Sequence, residues 1–341
     1  MSEPSRHSGK MAAAENQAEG PEKDAERQPQ KFTSVPYSTA DRPFDVFRAL
    51  ALQGLHCWRI NLRGALAYGD PEFFHQFRVT LRRLGTLLKL FKPILPTAFH
   101  THWLVALKDV ARQAEDIRDL DVMLESILEP MLAETDAHRG NLATKQAIQH
   151  CREARHLALE LFIGKAHAPA LQSFENDLGK LKPTGNKRNR QPIVAFAEKR
   201  IGKMYRRSLE RLNATRKDLT PETGHALRIS LKHLRYACEF FAPVFDEKAM
   251  QKYAKQISLL QDGLGAAHDL HVTVDRLQAL AAVNSDMEGV AESVEAWHGG
   301  ERLPPLGKVI HQVEDELTTC LPWCGECKRR HGSKYHRGEE R

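Results

Sequence analysis

The chain has 341 residues, 41% of them hydrophobic and only 7% aromatic, with a formal net charge of +6 at pH 7. Its 17 Pro and 21 Gly lie mostly between periodic segments, a balance that favours helix over sheet. No apolar run reaches the roughly 18 residues of a transmembrane helix, and Met1 to Lys31 lacks the apolar stretch of a secretory signal, so a cytoplasmic protein is expected. Cys57, Cys151 and Cys238 stand alone inside helical patterns and read as buried thiols of a reducing compartment.

Residues 1–41 are rich in Glu, Ser, Pro, Gln and Lys and read as a disordered tail that cannot offset chain entropy by burial. An amphipathic pattern then runs from Phe44 to Ala67. Asp70-Pro71-Glu72 has the form of a helix start, with Asp70 as N-cap and Pro71 at the first helical position. That helix reaches about Phe91, where Pro93 and Pro96 stop it. Helices are expected over Thr97 to Glu115 and Asp119 to Leu132, then one or two across 141–180. Lys182 to Pro192 is polar and turn-rich and reads as a linker. Periodicity resumes from Ile193 to Leu212. Thr220-Pro221-Glu222 opens a helix reaching Phe241 before Pro243, and helices over 247–265 and 269–282 follow. No segment alternates as a strand, so the fold class is all-α. The expected layout is a helical half over 42–181, the linker at 182–192, a second half over 193–318 and a basic tail over 319–341 containing Cys and His.

The halves resemble one another. HQFRVTLRRLGTLLKLFKP from His75 and HALRISLKHLRYACEFFAP from His225 agree at six of nineteen positions without a gap. The same offset carries Asp119-Leu120-Asp121-Val122 onto Asp269-Leu270-His271-Val272. Two segments keeping register in both halves imply an internal duplication.

On a helical wheel with His75 at 0°, Arg78, Arg82 and Lys89 fall at about 300–340°, while Phe77, Leu81, Leu84, Leu88 and Phe91 fill an apolar arc at about 160–240°. His225, Arg228, Lys232 and Arg235 form the matching stripe of the second copy. Arg83 and His233 share one flanking position. Like charges three and four residues apart destabilise their helix by about 0.2–0.5 kcal/mol per pair. Neither stripe carries an acidic residue between its members, as expected of a surface meant for an external anion. His56, Arg59 and Arg63, and likewise Arg200, Lys203 and Arg207, repeat the spacing more weakly just upstream of each copy. Four basic helix faces are thus expected to enclose a groove.

These motifs resemble the CHAD family, the conserved histidine α-helical domain. Its helix has the form His-x-x-Arg-x-x-x-Arg/Lys-Arg-Leu, occurs twice, and is followed each time by an Asp-Leu-Asp-Val-like segment. The matching residues are His75, Arg78, Arg82 and Arg83 with Arg118 to Val122, then His225, Arg228, Lys232 and Arg235 with Asp269-Leu270. The departures are His271 for Asp, and His233 and Gly85 for Arg. The resemblance implies two pseudo-symmetric helical bundles with a basic central cavity that binds inorganic polyphosphate without chemistry, and association with polyphosphate granules.

Arg would fork onto two phosphate oxygens and Lys act as a point charge. One competitor is nucleic acid, whose bases want stacking rings that these faces lack. Another is a phosphohydrolase or phosphotransferase using His75 or His225 as nucleophile, which usually needs a metal. Asp119 and Asp121 read instead as helix-start residues favoured by the dipole, or as partners of Arg. No cofactor is implied. Cys320, Cys324 and Cys327 with His331 are zinc candidates by spacing, with His336 a further one, although a tail with free thiols is the simpler reading. The iron–sulfur motif with the same Cys spacing needs a strand-containing barrel. Oligomeric state is left open.

Overall fold

A computed structural model describes residues 27–68, 70–135, 142–164, 167–284, 287, 289–298, 306–318 and 321–323. Among the described residues every regular element is helical. Helix α1 is Pro43–Ala67 and α2 is Pro71–Phe91. The side chain of Asp70 caps α2 by accepting from the Glu72 N–H at 2.9 Å, and Pro71 occupies the first turn, where its missing N–H costs nothing. A 3₁₀ turn at Lys92–Ile94 reverses the chain into α3, Thr97–Gln113. Next come α4, Glu115–Val122, a π-helical turn at Met123–Leu128, and α5, Glu129–Thr135. Leu142–Gly164 forms α6 and His167–Lys180 forms α7.

In the second half α8 is Ile193–Lys217 and α9 is Pro221–Phe241, with Thr220 and Thr223 capping α9 reciprocally. A 3₁₀ turn at Ala242–Val244 leads to α10, Glu247–Ala281, then α11, Val290–His298, and α12, Leu306–Thr318. Helices α2 and α9 share their length and the 3₁₀ turn that follows them. Each packs against the helix before it and the helix after it, and α2 and α9 also touch one another.

Four sequence expectations change. The helices expected over 247–265 and 269–282 are one helix. Gly263 and Gly265 do not break it but permit close approach: a Cβ on Gly265 would stand 2.6 Å from Arg228 Nη2, and one on Gly263 would stand 3.3 Å from Val309. The helix expected from Asp119 starts at Glu115, so Asp119 and Asp121 lie beyond its first turn, and Asp269 lies inside α10. Part of the expected N-terminal tail is docked: Phe32 is buried, and the Ser34 and Tyr37 hydroxyls donate to the Phe240 carbonyl at 3.0 and 2.5 Å. The expected linker is pinned as well. Thr184 and Asn186 donate to the Ile94 and Pro93 carbonyls, and the buried Asn189 accepts from the Phe44 N–H. Residues 1–26 of the tail lie outside the described residues.

The apolar core does not follow the boundary between the halves. The main cluster joins α1, α2 and α3 to α8, α9 and the start of α10, with Phe91 5.1 Å from Phe196 and 5.7 Å from Phe241, ring centre to ring centre. A second cluster sets Leu120 to Cys151 of the first half against Val274 to Val294 of the second. Both cores use both halves, which leaves the basic faces of α2 and α9 on one side of a shared seam.

Candidate functional site

Where α2, α3 and α9 diverge they leave a cleft of about 500 Å³. Helix α2 contributes Arg82, Gly85, Thr86 and Lys89; α3 contributes Leu104, Leu107 and Lys108; α9 contributes Ile229, Lys232 and His233. No carboxylate lines it among the described residues. Arg82 and Lys89 share a face because seven residues are close to two full turns, so their side chains stand about 10 Å apart along the helix axis. Lys232 occupies the place in α9 that Arg82 holds in α2, and the contact between the helices brings both to the same opening.

Crowding is visible in the acid–base behaviour. Burial, then the charges of Arg82, Arg228 and Arg235, push Lys232 down to about 7, opposed only by Asp269. Burial followed by Arg207 and Lys108 lowers Lys89, and burial above all lowers Arg82. His233 is driven down to about 3 by burial and then by Lys89, Arg207 and Lys232. Its imidazole is therefore neutral at pH 7, and Nε2 accepts from the Lys89 ammonium at 3.1 Å. Cations held together this way, in a cleft that no carboxylate lines among the described residues, are stabilised when an anion arrives.

Outside the cleft lining lie Arg78, His75, Arg118 and Arg228; the charges of Arg118 and Arg228 bear on Arg82. Arg78 is buried and donates to the Ala114 carbonyl; burial, then Arg82 and Arg118, bring it down to about 9. Arg228 donates to the Gln261 carbonyl at 3.4 Å. The two arginines hold equivalent places in the repeated motif, and each anchors to a backbone carbonyl further along the chain. His75 is half-buried, and its pKa is lowered by burial and then by Arg118.

The remaining expected residues are elsewhere. Arg83 is buried, forms an ion pair with Glu239, and lies over the rings of Phe32, Tyr236 and Phe240 at 5.4, 4.9 and 4.7 Å. Arg235 meets the same Glu239 at 2.9 Å. These two cations share the one carboxylate of Glu239 within the fold and do not line the cleft. Arg59 pairs with Glu175. Arg63, Lys203 and His225 are exposed outside the lining. Arg207 borders a smaller adjoining cavity of about 170 Å³ together with Arg211, and the two spaces share Ile229 and His233. The groove of four basic helix faces thus becomes a cleft of three helices, with α8 at its margin and α1 absent.

Sequence reasoning missed Lys108, which belongs to no basic stripe and reaches the cleft only because α3 packs on α2. It also passed over Arg118 as a site residue, although Arg118 opens the quoted Arg-Asp-Leu-Asp-Val segment. The aspartates of that segment are arginine partners: Asp121 binds Arg155, and Asp119 binds Arg276 at 3.4 Å. Among the described residues no three His, Cys, Asp or Glu side chains cluster as metal ligands. Cys320, Cys324, Cys327, His331 and His336 lie outside the described residues. Trp323, within the expected tail, is buried against Tyr205 and Tyr253. No described helix is long and apolar enough to cross a membrane.

The CHAD domain family matches residues 49–278, more than half of the chain. The chain belongs to the CHAD family. The crystal structure of the CHAD domain from the plant Ricinus communis is similar in fold, with a TM-score of 0.66 and 21% sequence identity, covering 86% of this chain and 98% of that one. No curated protein sequence matches the chain.

Proposed function

We propose that this CHAD protein binds inorganic polyphosphate, without chemistry on it, in the cleft between α2, α3 and α9. One observation carries the reading: Arg82, Lys89, Lys108 and Lys232 converge on a single opening that no carboxylate lines among the described residues. Cations brought together at a cost to one another need an external counter-charge, and a chain of phosphates supplies one at every few Å. Arg82 grips two phosphate oxygens at once, while the three lysines serve as point charges along the chain. Arg78 and Arg228, each tied to a backbone carbonyl, add to the positive field around Arg82 from outside the lining.

Nucleic acid fits less well, because Tyr236, the aromatic residue of the lining, is only 2% exposed and offers no stacking face. Hydrolysis or phosphotransfer fits less well because Asp119 and Asp121 are engaged by Arg276 and Arg155. A cytoplasmic site at polyphosphate granules belongs to the same proposal.

The test is titration with polyphosphates of defined length between about 50 and 300 mM salt. Displacement of counterions predicts a log–log slope of several units. A slope near zero refutes the cleft, and phosphate release lost on His75→Ala or His225→Ala refutes the absence of chemistry.

A further inference from the structure

One wall of the cleft is wrong for an inorganic chain. Beside the cations stand Leu104 of α3, partly exposed, and Ile229 of α9, 40% exposed. Inorganic phosphate has no apolar surface to bury against them. Between Arg82 and Lys89 on the same face lies Gly85, inside a helix, where glycine is the least favourable residue after proline. A Cβ at Gly85 would meet nothing within 4 Å, so packing within the protein does not require its absence. The residue at the matching position of the second copy is Arg235, so the cationic stripe is interrupted at this point. His233, on the facing helix, is neutral at pH 7 because burial and nearby cations exclude its proton. The cleft therefore has a charged part and an uncharged part.

We propose that the cleft takes a nucleoside polyphosphate, with its phosphates on Arg82, Lys108 and Lys232 and its base over Gly85 against Leu104 and Ile229. This rests on the polyanion reading of the same cleft and names a second class of ligand for it. A volume of about 500 Å³ lies within the range of small-molecule sites, which are mostly apolar with a few placed polar groups. A polar group also borders the uncharged part. The Thr86 hydroxyl is spent on the Arg82 carbonyl at 3.0 Å in a residue only 2% exposed, so the polar edge offered to a base is the neutral, partly exposed His233 imidazole. A base carries such edges and a lipid tail does not. One base in a compact aliphatic pocket needs no row of aromatic rings, unlike an extended nucleic-acid strand.

Calorimetric titration with ATP, tripolyphosphate and adenosine at moderate salt, without divalent metal, tests the assignment. ATP is expected to bind about tenfold more tightly than tripolyphosphate, the gain from burying a base-sized surface. Gly85→Leu, which fills the space and favours the helix, is expected to erase that advantage. Ile229→Asn, at an exposed position, is expected to erase it by polarity instead of bulk. ATP binding no tighter than tripolyphosphate, or an advantage that survives both substitutions, overturns the nucleotide assignment. Long inorganic polyphosphate keeps the two readings apart. If the wild type binds it while ATP shows no advantage, only the nucleotide assignment falls; if the wild type fails to bind it, both fall.

Discussion

Helices α2 and α9 carry two groups of cations with opposite fates. Arg82 and Lys232 open into a cleft lined by Lys89, Lys108 and neutral His233, with no carboxylate in the lining among the described residues. Arg83 and Arg235 belong to the same two helices, yet both close on Glu239, and Arg83 is further covered by Phe32 and Phe240. Residue type scarcely differs between the groups, although Arg83 lies about 100° around the helix from Arg82. What separates them is Glu239, one carboxylate at the seam, standing at the position that Lys89 occupies in the first copy. A basic residue on either helix thus opens to the cleft or serves as a structural tie according to what faces it.

The largest expected effect breaks the open group. Reversing Arg82→Glu and Lys232→Glu together is expected to weaken binding of long polyphosphate by about 1000-fold, since each change removes an attraction and adds a repulsion. Equilibrium titration measures it, and a loss below tenfold would show that these residues are not at the site. The next breaks the closed group. Glu239→Ala leaves Arg83 buried without its counter-charge and is expected to lower unfolding stability by about 3 kcal/mol, read by denaturant unfolding. Stability unchanged by that substitution would mean that Glu239 does not tie the helices together.

A smaller effect sharpens the difference through pH. Lys232 of the free protein loses its proton as pH rises through about 7. A bound polyanion keeps that proton in place. Affinity is therefore full below this pH and falls above it, by about tenfold between about pH 6.5 and pH 8, with proton uptake on binding. Calorimetry in two buffers of different ionisation heat measures the uptake, and Lys232→Arg is expected to abolish it. In the absence of ligand the sign is reversed: the lowered pKa of this lysine makes the fold more stable as pH rises from about 7 towards the ordinary lysine range. The smallest effect concerns a cation outside the cleft. Arg59→Ala breaks a partly exposed pair with Glu175 and is expected to cost about 0.5 kcal/mol of stability while leaving polyphosphate affinity within about twofold. A tenfold loss of affinity there would extend the site to α1.

The sequence alone determined the helical class, the starts of α2 and α9 at Pro71 and Pro221, and the cationic stripe that includes Arg82 and Lys232, because caps, proline positions and helical periodicity act over a few residues. It divided residues 247–282 into two helices, since the close approaches of Val309 to Gly263 and of the Arg228 guanidinium to Gly265 come from distant parts of the chain. Only the tertiary structure decided that Lys108 joins the cleft, that Arg83 turns to Glu239, and that Asp121 serves Arg155. Each of those outcomes depends on which charge lies across a packed interface, and residues 34 to 156 positions apart meet there only after the helices have assembled.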